Sequence, residues 1–170
     1  MSIAHINIGS NLGHRVMAID RAVSCLAERV GTVMARSAMV ESSAWGYDSS
    51  NRYINVGVNV DTSLSALSIV RELKSIESVL APGESHRDDA GNYADRTVDL
   101  DLICLDNQVS YMPEATVPHP RMHLREFVLR PMAELMPQWC HPILHMTVSE
   151  ILDGMCNNSM KEYVKKTEIE

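Results

Sequence analysis

The sequence is poor in aromatic residues, in paired cysteines and in long apolar runs, and each shortage restricts the classes of protein to which it can belong. Aromatic residues make up 5% of the 170 residues and include a single Phe, so each aromatic side chain is a candidate for a specific role. The four cysteines form no Cys-x-x-Cys pair, which argues against a zinc site or a disulfide framework and favours reduced thiols. No stretch approaches the length of a transmembrane helix.

An excess of positive charge is also missing. The net charge is −7, so the backbone of a nucleic acid is not an expected partner. The N-terminal residues 1–6 lack the charged start and long apolar run of a signal peptide, and we expect a cytoplasmic protein. The length predicts one domain, at residues 1–160, with a charged tail at 161–170. Since no coiled-coil seam or apolar patch is evident, we expect a monomer.

What the sequence does contain is a pair of aspartates, Asp99 and Asp101, inside an aliphatic run that predicts a β-strand. Residues two apart in a strand point to the same face, so the two carboxylates face one way and Leu100 faces the other. Two like charges side by side repel, and a bound divalent cation would remove that conflict. The alternative is a solvated strand face that carries two ordinary surface acids.

The rest of the pattern alternates between strands and helices. Apolar residues of helical spacing occupy 15–30 and 63–80, and strand-like alternation covers the segments between and around them. The resulting order, β-α-β-β-α-β, predicts an α+β fold of the ferredoxin-like type, an antiparallel sheet with helices packed on it and a C-terminal extension. The predicted strands are 3–8, 32–41, 53–61 and 96–105.

Basic and histidine side chains surround the aspartate pair along the chain. His119 lies between two prolines that stiffen its loop. Arg96 precedes the two aspartates, and Arg121 and Arg125 follow His119. The polar segment 82–95 has no apolar periodicity and is long for a connection in a compact domain, so we expect a functional or mobile loop. These features favour phosphoryl transfer, while solvated arginines and a loop histidine are the simpler alternative.

Residues 96–103, Arg-Thr-Val-Asp-Leu-Asp-Leu-Ile, resemble the signature of the 6-hydroxymethyl-7,8-dihydropterin pyrophosphokinase family. Four further segments resemble that family in the same order along the chain: 8–13, 53–58, 117–122 and 125–129. The family's ferredoxin-like fold agrees with the element order read from periodicity.

The resemblance implies that ATP donates its β,γ-pyrophosphoryl group to the hydroxymethyl oxygen of the reduced pterin, leaving AMP. It also implies two Mg²⁺ ions, both held by Asp99 and Asp101, and catalytic roles for these aspartates with Arg96 and Arg125. The ATP-binding residues that it implies are Glu77, Arg87, Arg96, Thr116, His119, Arg121 and Arg125. The pterin-binding residues that it implies are Ser43, Ala44, Trp45, Gly46, Tyr53, Asn55 and Phe127.

The chain departs from the family pattern just before the aspartate strand. Family members usually have Gly-Pro-Arg there, and this chain has Ala94, Asp95 and Arg96. We expect the carboxylate of Asp95 to repel the triphosphate unless it points outward. Two alternative functions stay open: a non-catalytic relative that binds pterin or nucleotide, and a metal-dependent phosphohydrolase.

Overall fold

A computed structural model describes residues 1–84 and 94–157. Apolar alternation and helical spacing produce five strands and four helices in these residues, with a 3₁₀ turn at Met122–Leu124. The strands are β1 (Ser2–Ser10), β2 (Thr32–Arg36), β3 (Val40–Ser42), β4 (Tyr53–Thr62) and β5 (Asp99–Leu105). The helices are α1 (Arg15–Arg29), α2 (Ala66–Leu80), α3 (Glu126–Leu135) and α4 (Val148–Cys156).

The strands form one antiparallel sheet in the order β2-β4-β1-β5, and β3 pairs with β4 beside β2. The predicted α+β fold with a ferredoxin-like arrangement is therefore confirmed. The predicted second strand, 32–41, is wrong in one respect, because it divides into β2 and β3. Just after β2, the Ser37 hydroxyl accepts the N–H of Gly57 at 2.9 Å, while the Ser37 N–H donates to the Gly57 carbonyl at 2.9 Å.

One face of the sheet is apolar and packs on α1 and α2. Alternate residues of β4, Val56, Val58 and Val60, are fully buried there, as their spacing predicts. Leu100 and Leu102 of β5 join the same core. This core fixes the register of the sheet, since a slip of one residue would expose every one of these side chains.

The opposite face is polar at one end and apolar at the other. Helices α3 and α4 cover the apolar end, where Ile103 packs with Val128 and Ile151 in a second core. The apolar segment 127–135 thus lies within helix α3. The polar end, which carries Asp99 and Asp101, is left uncovered by α3 and α4 and becomes the floor of a cavity.

The predicted aspartate strand, 96–105, begins three residues later than expected. The backbone of Arg96 bonds to Asn11, and the N–H of Thr97 donates to the Glu84 carboxylate at 2.8 Å, so both lie outside the ladder. The segment 82–95, predicted to be a functional or mobile loop, lies mostly outside the described residues. Arg87 and the tail 161–170 also lie outside them. In the part of the chain that the structure describes, no helix is long and apolar enough to cross a membrane.

Candidate active site

A cavity of about 460 Å³ opens on the polar end of the sheet. Three neighbouring strands supply its floor: Asn7 from β1, Asn55 from β4 and the two aspartates from β5. In the ladder Asp101 pairs with Asn7 and Asp99 pairs with Gly9. A side chain at Gly9 would approach the Asn55 Oδ1 atom at 3.2 Å, so glycine leaves this position open.

Each aspartate of the floor is paired with an arginine. Arg96 Nη1 lies 2.6 Å from Asp99 Oδ1, and Arg125 Nη1 lies 3.1 Å from Asp101 Oδ2. The two guanidinium groups therefore compensate the expected repulsion between the two carboxylates. Both arginine side chains are about nine-tenths buried, whereas the aspartates are 29% and 33% exposed toward the cavity.

Glu77 of α2 supports the strand from behind the aspartates. Its Oε1 accepts the backbone N–H of Leu100, which lies between Asp99 and Asp101, at 2.7 Å. Burial, with a smaller contribution from the nearby aspartates, raises the pKa of Glu77 to about 8 against the opposing effect of the Leu100 N–H. At neutral pH the buried side chain therefore holds a proton for most of the time.

His119 lies beside Arg125 at the edge of the cavity. Its backbone N–H donates to Ile103 O at 2.8 Å, which anchors the proline-flanked loop on β5, and its Nδ1 accepts the N–H of Arg121 at 3.1 Å. Burial lowers the pKa of His119 to about 4, and the charges of Arg125 and Arg121 add to the effect. The imidazole is therefore neutral near pH 7, a state that suits hydrogen bonding rather than ion pairing.

Aromatic rings occupy the other end of the cavity. The Arg125 guanidinium carbon lies 4.8 Å from the centre of the Trp45 ring and 5.8 Å from the centre of the Phe127 ring. Arg121 lies 5.3 Å from the Trp45 ring. The side chain of Arg125 thus contacts both the acidic floor and the aromatic end, which makes it the link between the two.

Two asparagines give the floor its polar character. Asn55 is buried and donates from Nδ2 to the hydroxyl of Ser42 at 2.9 Å. Asn7 is also buried, and its Oδ1 has no hydrogen-bond partner within the described residues. An unsatisfied buried acceptor is costly, so the Asn7 oxygen is a position where a ligand donor would be stabilising.

Most of the residues implied by the resemblance line this cavity. Ala44 and Gly46 belong to the loop between β3 and β4 but do not line it, and Arg87 lies outside the described residues. The implied residues that line it are Ser43, Trp45, Tyr53, Asn55, Glu77, Arg96, Asp99, Asp101, Thr116, His119, Arg121, Arg125 and Phe127.

Sequence reasoning missed several lining residues. Asn7 and Ser42 are polar residues in strands, and only the register across β1, β4 and β3 brings them to the floor. Val70, Leu73 and Lys74 come from α2, where helical periodicity assigned the first two to the core. The position of Lys74 four residues after Val70 is the one signal that would have placed it on the same helix face.

A family model that describes 7,8-dihydro-6-hydroxymethylpterin-pyrophosphokinase matches residues 5–137. The chain belongs to this family. The match includes all of the implied site residues and ends just after α3. Membership in the pyrophosphokinase family agrees with the resemblance seen in the sequence, and it makes the chain an ATP-dependent diphosphokinase by class.

Relatives of known name support the same assignment. A 2-amino-4-hydroxy-6-hydroxymethyldihydropteridine pyrophosphokinase of Porphyromonas gingivalis is 32% identical over 84% of this chain and 95% of its own length. An enzyme of the same name from Bacillus subtilis is 33% identical over 81% of this chain and 80% of its own length.

Solved structures agree on the fold. The wild-type Plasmodium falciparum HPPK-DHPS with pteroate superimposes with a TM-score of 0.72, at 12% identity, over 95% of this chain. This chain spans slightly less than half of that two-part chain, 46%. A second HPPK-DHPS structure, in complex with substrates, gives a TM-score of 0.69 and covers 44% of that chain.

Proposed function

We propose that this protein transfers the β,γ-pyrophosphoryl group of ATP to the hydroxymethyl oxygen of 6-hydroxymethyl-7,8-dihydropterin, a step of folate biosynthesis that releases AMP. The observation that carries the proposal is a single cavity with two chemically different ends. One end has the carboxylates of Asp99 and Asp101 with two arginines, and the other has Trp45 and Phe127. The first suits a triphosphate and the second suits a flat heterocycle.

For the triphosphate, buried guanidinium groups are the main binding elements. Arg96 and Arg125 already point at the acidic floor, and Arg121 lies at the rim of the same cavity. Their planar donors match phosphate oxygens and oppose the charge that develops during transfer. We propose that these three arginines bind ATP together with Glu77, Arg87, Thr116 and His119.

We further propose that Asp99 and Asp101 hold two Mg²⁺ ions. The residues fit a hard cation, because both carboxylates face one side of β5 and reach the cavity. Within residues 1–84 and 94–157, no group of three or more His, Cys, Asp or Glu side chains forms a metal cluster. When bound, Mg²⁺ would supply Lewis acidity and neutralise phosphate charge.

The pterin would lie at the aromatic end. We propose that Phe127 stacks on one face of its ring and that Trp45 closes the second face. Tyr53 would line the same pocket, and Asn55 would bond to the ring through its amide. Ser43, Ala44 and Gly46 belong to the same loop as Trp45 and complete this proposed set. The unpartnered oxygen of Asn7 supports a ring N–H as the ligand group, since a donor there would satisfy it.

The assembly and location of the protein are also proposals. We propose a cytoplasmic monomer built from one domain at residues 1–160. Size-exclusion chromatography with light scattering gives the mass in solution, and a dimer mass would contradict the monomer.

The test of the function is a product analysis. Protein, Mg²⁺, ATP and 6-hydroxymethyl-7,8-dihydropterin are incubated, and the nucleotides and phosphates are separated by chromatography. The proposal predicts AMP that depends on the pterin. Release of inorganic phosphate without pterin would point to a phosphohydrolase, and pterin binding without AMP would point to a non-catalytic relative.

A further inference from the structure

We propose that Asp95 is a positioning residue whose carboxylate assembles the pterin end of the cavity before the substrate arrives. The inference rests on the proposed function and adds a residue that does not itself line the cavity. It begins from the direction of this side chain. Asp95 does not point into the cavity but toward the end of β1 and the loop between β3 and β4.

The carboxylate of Asp95 connects its own segment to two others. Its Oδ1 accepts from Asn11 Nδ2 at 2.7 Å and from the Tyr47 hydroxyl at 3.1 Å. Its Oδ2 accepts from Asn51 Nδ2 at 2.6 Å. Asn11 follows β1, whereas Tyr47 and Asn51 belong to the 43–52 loop, the segment between β3 and β4. One side chain therefore bridges residues that are 36 to 84 positions apart in the chain.

The bridge is made of charge-assisted bonds. Burial alone raises the pKa of Asp95, but hydrogen bonds from Ser49, Asn11 and Asn51 outweigh it and hold the pKa below its usual value. The carboxylate is therefore ionised at neutral pH, where such bonds are stronger than neutral ones. The negative charge accepts hydrogen bonds from the loop and does not face the proposed triphosphate region.

Tyr47 passes this restraint to the cavity wall. Its hydroxyl lies 2.9 Å from that of Tyr53, which lines the cavity beside Asn55. Two residues earlier in the same loop, the Trp45 ring stacks on Arg125. Asp95, together with Asn11, which also donates to the Tyr47 hydroxyl at 3.2 Å, thus restrains the loop that carries Trp45 and contacts Tyr53.

The base of the 43–52 loop has a separate anchor. Arg15 of α1 donates to the carbonyl of Arg52 at 2.7 Å, a bond that does not involve the carboxylate of Asp95. Removal of Asp95 should therefore release the tip of the loop and leave its attachment to β4 intact. The main chain before Asp99 also keeps a link, because Asn11 Oδ1 accepts the Arg96 N–H at 2.8 Å.

The experiment compares Asp95→Ala, Asp95→Asn and a control, Asp48→Asn. Asp48 is an exposed acid of the same loop and lies outside the cavity lining. Hydrogen exchange of peptides that cover 44–52 is measured without substrates. The affinities for 6-hydroxymethylpterin and for a non-hydrolysable MgATP analogue are measured by calorimetry. Exchange reports on the loop even if the protein proves inactive. A failure of the proposed role of Asp95 can therefore be distinguished from a failure of the proposed function.

We expect Asp95→Ala to speed exchange at 44–52 and to weaken pterin binding by about tenfold, because at least two hydrogen bonds are lost. MgATP affinity should change by less than about twofold. Asp95→Asn should lie between this variant and the wild type, since its amide oxygen still accepts from Asn11 and Tyr47. Unchanged exchange in Asp95→Ala, faster exchange with unchanged pterin affinity, or an equal loss of MgATP affinity would each overturn the proposal.

Discussion

The carboxyl group of Glu77 accepts the N–H of Leu100 at 2.7 Å, and this one bond connects helix α2 to the residue between the two aspartates. Strand β5 is at the edge of the sheet, so its outer N–H groups need partners from elsewhere. Glu77 supplies one of them from a buried position. The spacing of the carboxylates therefore depends on a helix residue behind the strand.

Replacement of Glu77 should separate the effect of its hydrogen-bond acceptor from the effect of its ionisable carboxyl group. Glu77→Gln keeps an oxygen acceptor, whereas Glu77→Ala leaves the Leu100 N–H buried and unpaired at a cost of about 1–3 kcal/mol. We expect the Ala variant to lose stability and most of its turnover, and the Gln variant to keep both. Glu28→Gln, at an exposed position of α1, is the control. Equal activity of the Ala and Gln variants would contradict this role.

The pH dependence of the Glu77→Gln variant gives a second check of Glu77. Because the folded pKa of about 8 lies above the ordinary value of 4.5, this carboxyl contributes stability at low pH that is lost as the pH rises through 8. Glutamine cannot ionise. In metal-free protein, the free energy of unfolding of Glu77→Gln should therefore increase relative to that of the wild type as the pH rises from 4.5 to 8. A constant difference would contradict the assignment.

Asp101→Asn should abolish activity with little effect on the fold. Asparagine still accepts a hydrogen bond from Arg125, but it removes one carboxylate from the proposed Mg²⁺ ligands. We expect turnover to fall by at least about a hundredfold, as for groups that stabilise transition-state charge, while the melting temperature of the metal-free protein stays within about 2 °C. Asp153→Asn, on the exposed side of α4, controls for loss of a negative charge. A variant that keeps more than a tenth of its turnover would contradict a metal role for Asp101.

Trp45 should matter for the pterin and not for ATP. Its ring, 38% exposed, is stacked on Arg125 and Arg121 in the ligand-free protein. We expect Trp45→Ala to weaken pterin binding by about tenfold and Trp45→Phe to weaken it much less, because an aromatic face is worth about 1 kcal/mol. Calorimetry with the two ligands in turn measures this, and Tyr111→Ala, at a position 76% exposed, is the control. Equal losses for both ligands would place Trp45 elsewhere.

Acid sensitivity of the fold should trace in part to His5. Burial lowers its pKa from 6.5 to about 4, with an opposing hydrogen bond to Asn59. The contribution of His5 to stability is therefore full above pH 6.5 and is lost as the pH falls toward 4, which amounts to about 2 kcal/mol between pH 7 and 5. Denaturant unfolding at both pH values should show a smaller difference for His5→Gln than for the wild type. His14→Gln, at an exposed position, should leave that difference unchanged.

The sequence was sufficient for features that are local or periodic. Val56, Val58 and Val60 predicted the buried face of β4 because burial follows the two-residue period of a strand. The aspartate pair was found in the same way, since two charges interrupt an aliphatic run. The site residues Tyr53 and Phe127 were found from the resemblance, and the structure brings them to one cavity.

Features that depend on distant contacts were not predictable. The pairing of Asp99 with Arg96 and of Asp101 with Arg125 requires side-chain directions that no spacing encodes. The same holds for the partners of Asp95, for which the sequence predicts repulsion of the triphosphate unless the side chain points outward, as it does in the structure. Its partners come from parts of the chain whose proximity depends on the register of β1 and β4.

Position-specific labelling of ATP tests the central claim most directly. Three reactions contain ATP labelled at the α-, β- or γ-phosphate, with Mg²⁺ and 6-hydroxymethyl-7,8-dihydropterin, and the products are separated and counted. The proposed function predicts that β- and γ-label both appear in the pterin product in equal amounts and that α-label remains in AMP. Transfer of γ-label alone with formation of ADP, or label only in inorganic phosphate, would contradict it.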